Sequence, residues 1–194
     1  MRSINTLIER SPSTERPFLS TPLKTACDGD LMFPRSTENS VYVLANFVMT
    51  LDGRVSYHIP GKSGGGEISG FNDEDRYVMG LLRSLADAVL FGSGTLHGDP
   101  GHVRIAEFIC PSFQDEFRSF RQTVLKKPVY PLNVVITGSG RIDLDEPTFH
   151  TSGLSTLIIT TARGYECLRR FVQTVPTGCR ATMGIEKARS TLGS

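Results

Sequence analysis

The sequence lacks the features that mark several large classes of protein. Its four cysteines are far apart with no Cys-x-x-Cys pair, and its four histidines show no metal-ligand spacing. We therefore expect no metal site and four reduced thiols. No run of about 20 apolar residues could cross a membrane, and the N-terminus has no apolar segment typical of a secretory signal. These absences predict a soluble, cytoplasmic protein without a membrane partner.

A dominant charge of one sign is also missing. Lysine and arginine together number 21 and aspartate and glutamate 20, which gives a formal net charge of +1. The basic residues are scattered along the chain and never form a run of five. Such a chain has no long-range field to attract nucleic acid, so no nucleic-acid partner is expected.

The first 38 residues differ in character from the rest of the chain. Pro12, Pro17, Pro22 and Pro34 fall there, among serine, threonine and charged residues. This composition predicts a flexible N-terminal arm over residues 1–38. Residues 39–194 are expected to form one domain, which is long enough to bury a core without disulfides.

Apolar runs alternate with amphipathic segments along this domain. Residues 41–49 are a near-continuous β-favouring run, which predicts a strand buried on both faces and ended by an Asp-Gly turn at 50–53. A helix should begin at Asn72 or Asp73, with acidic residues in its first turn. Further strands are predicted at 88–91, 132–138 and 154–161. Helices are predicted at about 163–175 and about 112–126, the latter burying Phe113, Phe117, Phe120 and Val124. The alternation predicts an α/β fold with a mostly parallel central sheet flanked by helices.

The tripeptide Gly61-Lys62-Ser63 invites comparison with the phosphate-binding loop of nucleotide hydrolases. That loop requires a glycine five residues before Gly61, where this chain has Ser56. It also requires a helix after the serine, and three consecutive glycines at 64–66 disfavour one. Both spacing and context therefore argue against a nucleotide hydrolase.

Two glycine clusters are better explained by their place in the predicted sheet. The first, at 64–66, lies between a predicted strand and a helix, and the second, at 92–95, follows the next strand directly. Ligands of open α/β sheets bind outside the carboxyl ends of the strands, so the two clusters would border one crevice. The alternative is that both clusters are ordinary turns.

Several short motifs in a fixed order carry a resemblance to a known family. They are Thr50 to Gly53, Ile68-Ser69, Leu82-Arg83, Asp87-Ala88, Gly92 to Thr95 and Asp99-Pro100, followed by the segment 132–149. As a set they resemble the reductase domain of bifunctional riboflavin-biosynthesis proteins and its stand-alone relatives, which have a dihydrofolate-reductase-like fold. The resemblance covers about residues 41–161.

The resemblance implies a reductase that uses NADPH to convert the ribosyl group of an aminopyrimidine ribosyl phosphate into a ribityl chain, and it implies a homodimer. By matched position, Asp99 is the catalytic candidate. The residues expected to bind the cofactor are Val48, Gly92, Gly94, Thr95, Asp99, Thr137 and Ser139. The residues expected to bind the substrate are Asn46, Thr50, Asp52, Gly65, Arg83 and Arg104.

Plainer structural roles stay open for some of these residues. Thr95 could cap a helix or turn, Arg83 could be a solvated helix residue, and Asp99 could form a turn before its proline. Thr50 and Asp52 could simply shape the turn that contains them.

Two positions depart from the family pattern. Asn46 stands where the bifunctional proteins commonly have a lysine, so the substrate contact there is made by an amide and not by a charge. The paired-glycine motif expected near the C-terminus is missing, which predicts a shortened domain without the family's C-terminal strands. That shortening leaves open a non-catalytic nucleotide- or pterin-binding protein of the same fold, or a site completed by another chain.

Overall fold

A computed structural model of the chain describes residues 4–5, 19, 21–24, 26–28, 40–59 and 62–172. The strands are β1 (Ile4–Asn5), β2 (Cys27–Asp28), β3 (Ala88–Gly92), β4 (Leu132–Thr137) and β5 (Thr156–Thr160). The helices are α1 (Thr21–Lys24), α2 (Gly65–Ser69), α3 (Asp73–Leu85), α4 (Ser93–Gly98), α5 (Ala106–Ile109), α6 (Gln114–Ser119), α7 (Pro147–His150) and α8 (Ala162–Val172). A 3₁₀ turn (Pro111–Phe113) precedes α6, and a π-helical turn (Phe120–Val124) follows it.

The centre of the fold is a parallel sheet with strand order β3-β4-β5. In its register Phe91 lies beside Val135, and Val135 beside Ile158. Helices flank the sheet, so the predicted α/β class and the three predicted strands at these positions are confirmed. The architecture is consistent with a dihydrofolate-reductase-like fold.

Helix α3 forms where the sequence predicts it, because both of its ends are capped. At its start, the side-chain oxygen of Asn72 accepts a hydrogen bond of 2.9 Å from the backbone N–H of Asp75. At its end, Arg121 NH1 donates to the carbonyls of Ser84 (2.8 Å) and Ala86 (2.6 Å). Cations favour this end of a helix, where carbonyls lack intrahelical partners. In the described ranges no helix combines the length and the apolar character that a membrane span requires.

One core cluster joins α3 to the N-terminal part of the chain. Leu19, Leu23 and Ala26 are buried against Tyr77 and neighbouring apolar residues of α3, α5 and α6. The Tyr77 hydroxyl also donates a 2.7 Å hydrogen bond to the carbonyl of Leu23. At these residues the structure differs from the predicted flexible arm, because small and leucine side chains between the prolines find apolar partners. Residues 1–3, 6–18, 20, 25 and 29–38 of that arm lie outside the described ranges.

A second cluster lies between one face of the sheet and the helices α4 and α8. It contains Phe91, Leu96, Val135, Ile158 and Leu168. Next to it, the loop after β4 touches the first turn of α8, and the contact is made by two glycines. Gly140 has φ +69°, and a Cβ added there would overlap the carbonyl of Gly164. The loop reaches this position only because both residues lack a side chain.

The predicted strand at 41–49 is wrong. Residues 40–50 have no regular secondary structure, and Val41 and Phe47 are 88% and 78% exposed. A strand needs a neighbour for its backbone N–H and C=O groups, and within the described residues β3 pairs only with β4. The following turn is confirmed, with Gly53 N–H donating to the Thr50 carbonyl at 2.9 Å and φ +87° at Gly53.

Two further expectations need correction. A short helix, α2, does begin inside the glycine cluster, although the sequence predicts that the glycines disfavour one. It is ended by Gly70 in the left-handed conformation, and the Phe71 N–H donates to the Gly66 carbonyl at 2.8 Å. In the segment 112–126, Val124 is exposed although Phe117 and Phe120 are buried. The π-helical turn has more residues per turn than an α-helix, so a four-residue step no longer returns to the same face.

The strained contact between Gly140 and Gly164 gives a stability prediction. Gly140→Ala should lower the free energy of unfolding by about 3 kcal/mol, since it adds both overlap and a side chain at positive φ. Gly138→Ala is the matched control, because a Cβ at Gly138 would meet no atom within 4 Å. Urea denaturation of both variants measures the difference. Equal stability of the two would contradict the described contact.

Candidate active site

The segment between α4 and α5 carries three polar residues into a cluster with the last turn of α3. Asp99 follows α4 immediately, and His102 and Arg104 lie further along the same segment. Arg83 is in the last turn of α3. Three of these four residues, all except His102, were predicted as site residues, and the structure brings them together.

Asp99 is the acceptor at the centre of this cluster. Its Oδ2 lies 2.9 Å from His102 Nδ1 and 3.4 Å from Arg104 NH2. The side chains of Arg104 and His102 are only 5% and 15% exposed, whereas that of Asp99 is 38% exposed. One oxygen of Asp99 is therefore engaged inside the protein while the carboxyl group remains accessible from outside.

The two arginines are held by backbone carbonyls as well as by side chains. Arg83 NH1 lies 3.0 Å from His102 Nε2 and donates to the Ile105 carbonyl at 3.2 Å. Arg104 NH1 donates to the His102 carbonyl at 2.9 Å, and its NH2 to the Thr95 carbonyl at 3.4 Å. The Arg104 guanidinium also lies 5.3 Å from the centre of the Phe91 ring, a cation–π distance.

Burial and mutual repulsion shape the ionisation of the cluster. Burial, and next the charge of Arg104, lower the pKa of Arg83 to about 9, against the opposing effect of Asp99. Arg83 is still a cation at neutral pH. The hydrogen bond from His102, followed by the charges of Arg104 and Arg83, lowers the pKa of Asp99, which burial alone would raise. The charged groups in direct contact are two cations and one anion, and this local excess of positive charge favours an anionic ligand. Glu146 adds a second negative charge that acts on Arg104 without such a contact.

The first glycine cluster lies against the exposed side of Asp99. A Cβ added to Gly64 would be 3.7 Å from Asp99 Oδ1, and one added to Gly65 would be 3.1 Å from Val48 Cγ1. Val48, Gly65 and Asp99 were all predicted as site residues, and this packing brings them to one place. The absence of a side chain at Gly64 keeps the approach to Asp99 Oδ1 open.

The second glycine cluster presents an uncovered backbone. Gly92, Gly94 and Thr95 are exposed. A Cβ on Gly94 would meet no atom within 4 Å, and one on Gly92 only the backbone nitrogen of Gly94 at 3.9 Å. A ligand can therefore approach this backbone at the carboxyl end of β3, beside the cluster that contains Arg83.

Thr137 and Ser139 have local roles in the loop after β4. Thr137 is buried, and its Oγ1 accepts a hydrogen bond of 3.1 Å from the Gly140 N–H. Ser139 is exposed, and its Oγ accepts from the Arg141 N–H at 3.2 Å. Ser139 is the one of the two that a cofactor can reach without rearrangement, and cofactor binding at either stays a prediction.

Three predicted substrate residues make contacts of their own outside the buried cluster. Thr50 and Asp52 hydrogen-bond to each other, and Asp52 pairs with Arg54 Nε at 3.1 Å, as the turn-forming alternative anticipates. The amide nitrogen of Asn46 lies 3.4 Å from the sulfur of Met79. Their roles toward a substrate stay predictions.

His102, Phe91 and Glu146 belong to this site although the sequence prediction misses them. Glu146 Oε2 accepts a 2.7 Å hydrogen bond from the Gly101 N–H, and its charge acts on Arg104. Metal-ligand spacing gives no reason to single out His102. The available signal is its place three residues after Asp99, where a tight turn brings the two side chains together. In the described part of the chain, no group of three or more His, Cys, Asp or Glu residues could hold a metal ion.

The histidine of the cluster predicts a pH dependence of stability. Burial, together with the charges of Arg104 and Arg83, lowers the pKa of His102 from 6.5, although Asp99 opposes the shift. Below about pH 6.5 the unfolded chain gains a proton that the folded chain does not, so the free energy of unfolding falls as pH decreases. Asp99 does not contribute in this window, because its lowered pKa confines its effect to more acidic pH.

Urea denaturation at about pH 7 and about pH 5.5 tests this expectation. The loss of stability between the two conditions should be smaller in His102→Gln, which removes the titrating group but leaves the other histidines. Equal losses in the two proteins would show that His102 is not held neutral.

Comparison with known proteins identifies the family of the chain. The family model of the RibD C-terminal domain matches residues 41–185, which is more than half of the chain. None of the curated proteins compared with the chain matches it. The family model confirms the resemblance carried by the motifs around Asp52, Arg83, Gly94 and Asp99, and the family implies a reductase role in riboflavin biosynthesis. The chain belongs to the RibD C-terminal domain family.

Proposed function

We propose that the chain is an NADPH-dependent reductase of an aminopyrimidine ribosyl phosphate, which it converts from the ribosyl to the ribityl form. Membership of the family supplies the reductase role. The observation that supports the finer assignment is the buried pair of guanidinium groups of Arg83 and Arg104, where Asp99 contacts Arg104 and acts on Arg83 through its charge. An anion such as a phosphate would complete the balance of charge.

Arg83 and Arg104 provide the grip on that phosphate. A guanidinium group matches phosphate oxygens with two parallel N–H donors. The resulting hydrogen bonds become stronger where water is excluded. Among the described residues, both hydrogen bonds of Arg83 use NH1, so Nε and NH2 are free to face a ligand. A buried charge without an equal counter-charge is costly, and a bound phosphate would offset that cost.

The nicotinamide cofactor, when bound, supplies the hydride chemistry. The chain fits such a cofactor because the backbone at Gly92, Gly94 and Thr95 is open to close approach. Val48 borders Gly65 at the same edge, and Ser139 presents an exposed hydroxyl after β4. These residues are uncharged and would position the cofactor by contact alone.

Asp99 is the residue that would act on the substrate as an acceptor. Its carboxylate is ionised at neutral pH, and the hydrogen bond from His102 and the arginine charges keep its pKa low despite its partial burial. With Oδ2 engaged inside, Oδ1 can accept a hydrogen bond from a hydroxyl or amino group of the sugar-bearing substrate. The outer part of the substrate site would be completed by Thr50, Asp52, Asn46 and Gly65.

The phosphate grip gives a prediction for Arg83→Met, which keeps the size of the side chain and removes its charge. The KM for 5-amino-6-(5-phosphoribosylamino)uracil should rise by about 10- to 100-fold, as expected for the loss of a charged hydrogen bond. Arg76→Met is the matched control, since Arg76 lies on the same helix and stacks on Phe71, away from the cluster. The rate of NADPH oxidation by each purified variant, measured against substrate concentration, gives its KM.

Two results would contradict the proposed function. Wild-type chain that binds NADPH without oxidising it in the presence of this substrate would leave a non-catalytic nucleotide-binding protein. Equal changes of KM in Arg83→Met and Arg76→Met would remove Arg83 from the phosphate site.

We also propose that the chain forms a homodimer in the cytoplasm. On one face of the sheet, Leu90 is 61% exposed. Two residues further along the strands, the register partners Ile136 and Ile159 are each 46% exposed. Apolar patches of this kind are commonly covered by another chain. Cys110 and Cys167 are free thiols, as expected for a reducing compartment.

The dimer proposal predicts that Leu90→Lys produces a monomer, because a charge would have to be buried between the two sheets. Val124→Lys is the control, since Val124 is an exposed apolar residue outside the sheet. Light scattering after size-exclusion chromatography measures the mass of each variant. A wild-type chain that is monomeric at micromolar concentration would contradict the proposal.

A further inference from the structure

We propose that His102 is a positioning residue of this site, a neutral imidazole that fixes the Asp99 carboxylate and the Arg83 guanidinium relative to each other. Its kinetic consequences rest on the proposed function, whereas its hydrogen-bonding state rests on geometry alone. His102 is not a catalytic residue in this proposal, because both of its ring nitrogens are engaged by protein groups.

The neighbours of the ring determine which nitrogen carries the proton. Arg83 NH1, 3.0 Å from Nε2, can only donate a hydrogen bond, so Nε2 must be the acceptor. Asp99 Oδ2, 2.9 Å from Nδ1, can only accept when ionised, so Nδ1 must be the donor. The ring is therefore neutral and carries its proton on Nδ1. The reverse tautomer would set two donors against each other at Arg83 and two acceptors against each other at Asp99.

Packing holds the ring in this orientation. The Phe108 ring of α5 lies 4.7 Å from the imidazole centroid, and the His102 backbone carbonyl accepts from Arg104 NH1 at 2.9 Å. The charged groups that face the ring are Arg83 from α3 and Asp99 and Arg104 from its own segment. A second proton on Nε2 would face the N–H of Arg83, so the surroundings oppose protonation.

Each half of this bridge serves a different function of the site. The Nδ1–H bond occupies Asp99 Oδ2, which leaves Oδ1 on the side of Gly64 as the oxygen for a ligand. The Nε2 contact occupies Arg83 NH1, which leaves the rest of that guanidinium for an anion. Loss of the first contact should therefore impair the step in which Asp99 takes part, and loss of the second should impair substrate affinity.

Two substitutions separate these contacts. An asparagine amide can place its N–H near the position of Nδ1, whereas a glutamine amide can place its oxygen near the position of Nε2. In His102→Asn, KM for the phosphorylated substrate should rise about tenfold while kcat changes by less than about twofold. In His102→Gln, kcat should fall about tenfold while KM changes by less than about twofold. The two variants are matched in chemistry and serve as controls for each other.

A spectroscopic measurement on the wild-type protein tests the proposal without reference to turnover. Long-range ¹⁵N–¹H correlation of the imidazoles distinguishes the two neutral tautomers and the cation. The expected result at neutral pH is a neutral His102 with its proton on Nδ1, assigned by loss of the signal in His102→Gln. A proton on Nε2 alone, or a cationic ring, would overturn the proposal.

The kinetic and spectroscopic experiments together distinguish a failure of the proposed function from a failure of the proposed role of His102. Wild-type protein with the Nδ1–H tautomer but no turnover would refute the proposed function and support the described bridge. If the wild-type protein is active but both variants show the same fall in kcat and the same rise in KM, the positioning role is refuted. Urea denaturation of both variants shows whether a shared loss of folding causes that pattern, in which case the tautomer decides.

Discussion

The burial of two guanidinium groups beside one carboxylate is the constraint on which the site depends. Charges removed from water are costly unless donors and acceptors surround them. Here the carbonyls of Thr95, His102 and Ile105 accept from the arginines, and Asp99 supplies the negative charge. The segment between α4 and α5 therefore has to turn its carbonyls inward and cannot be regular helix or strand along its whole length. Under the proposed function, the positive charge of the two arginines would favour an anionic substrate over a neutral one.

Sequence patterns predict the elements whose signals are local. The strands β3, β4 and β5 are short apolar runs between turn residues, and α3 has a capping asparagine and an acidic first turn, so their positions follow from neighbours in the sequence. The run 41–49 has an equally apolar pattern, but a pattern states only a preference for burial and cannot supply the adjacent strand. Helix α2 forms against the low propensity of glycine, because tertiary contacts override propensity in short elements.

The residues of the candidate site also divide into those that the sequence predicts and those that it does not. Asp99, Arg83 and Arg104 could be identified from motifs in a fixed order, and the structure brings them together. Spacing could not show that Arg83 reaches the segment after α4, since that depends on how the last turn of α3 packs against α5. It also could not identify His102, whose importance comes from two neighbours on different elements and not from any ligand pattern. The tight turn after Asp99 can be predicted from the sequence, but the contact of His102 with Arg83 on α3 cannot.

The capping of α3 by residues far along the chain has a consequence for how the site can vary. Arg121 and Lys127 bind the carbonyls of Ser84, Leu85 and Ala86, directly after Arg83. These bonds hold the last turn of α3, so the position of Arg83 depends on side chains outside the cluster around Asp99. If Arg83 binds the substrate phosphate as proposed, changes of length or charge around Arg121 would alter substrate affinity at a distance. Relatives of this chain could then acquire a new specificity without any change in the residues that contact the ligand.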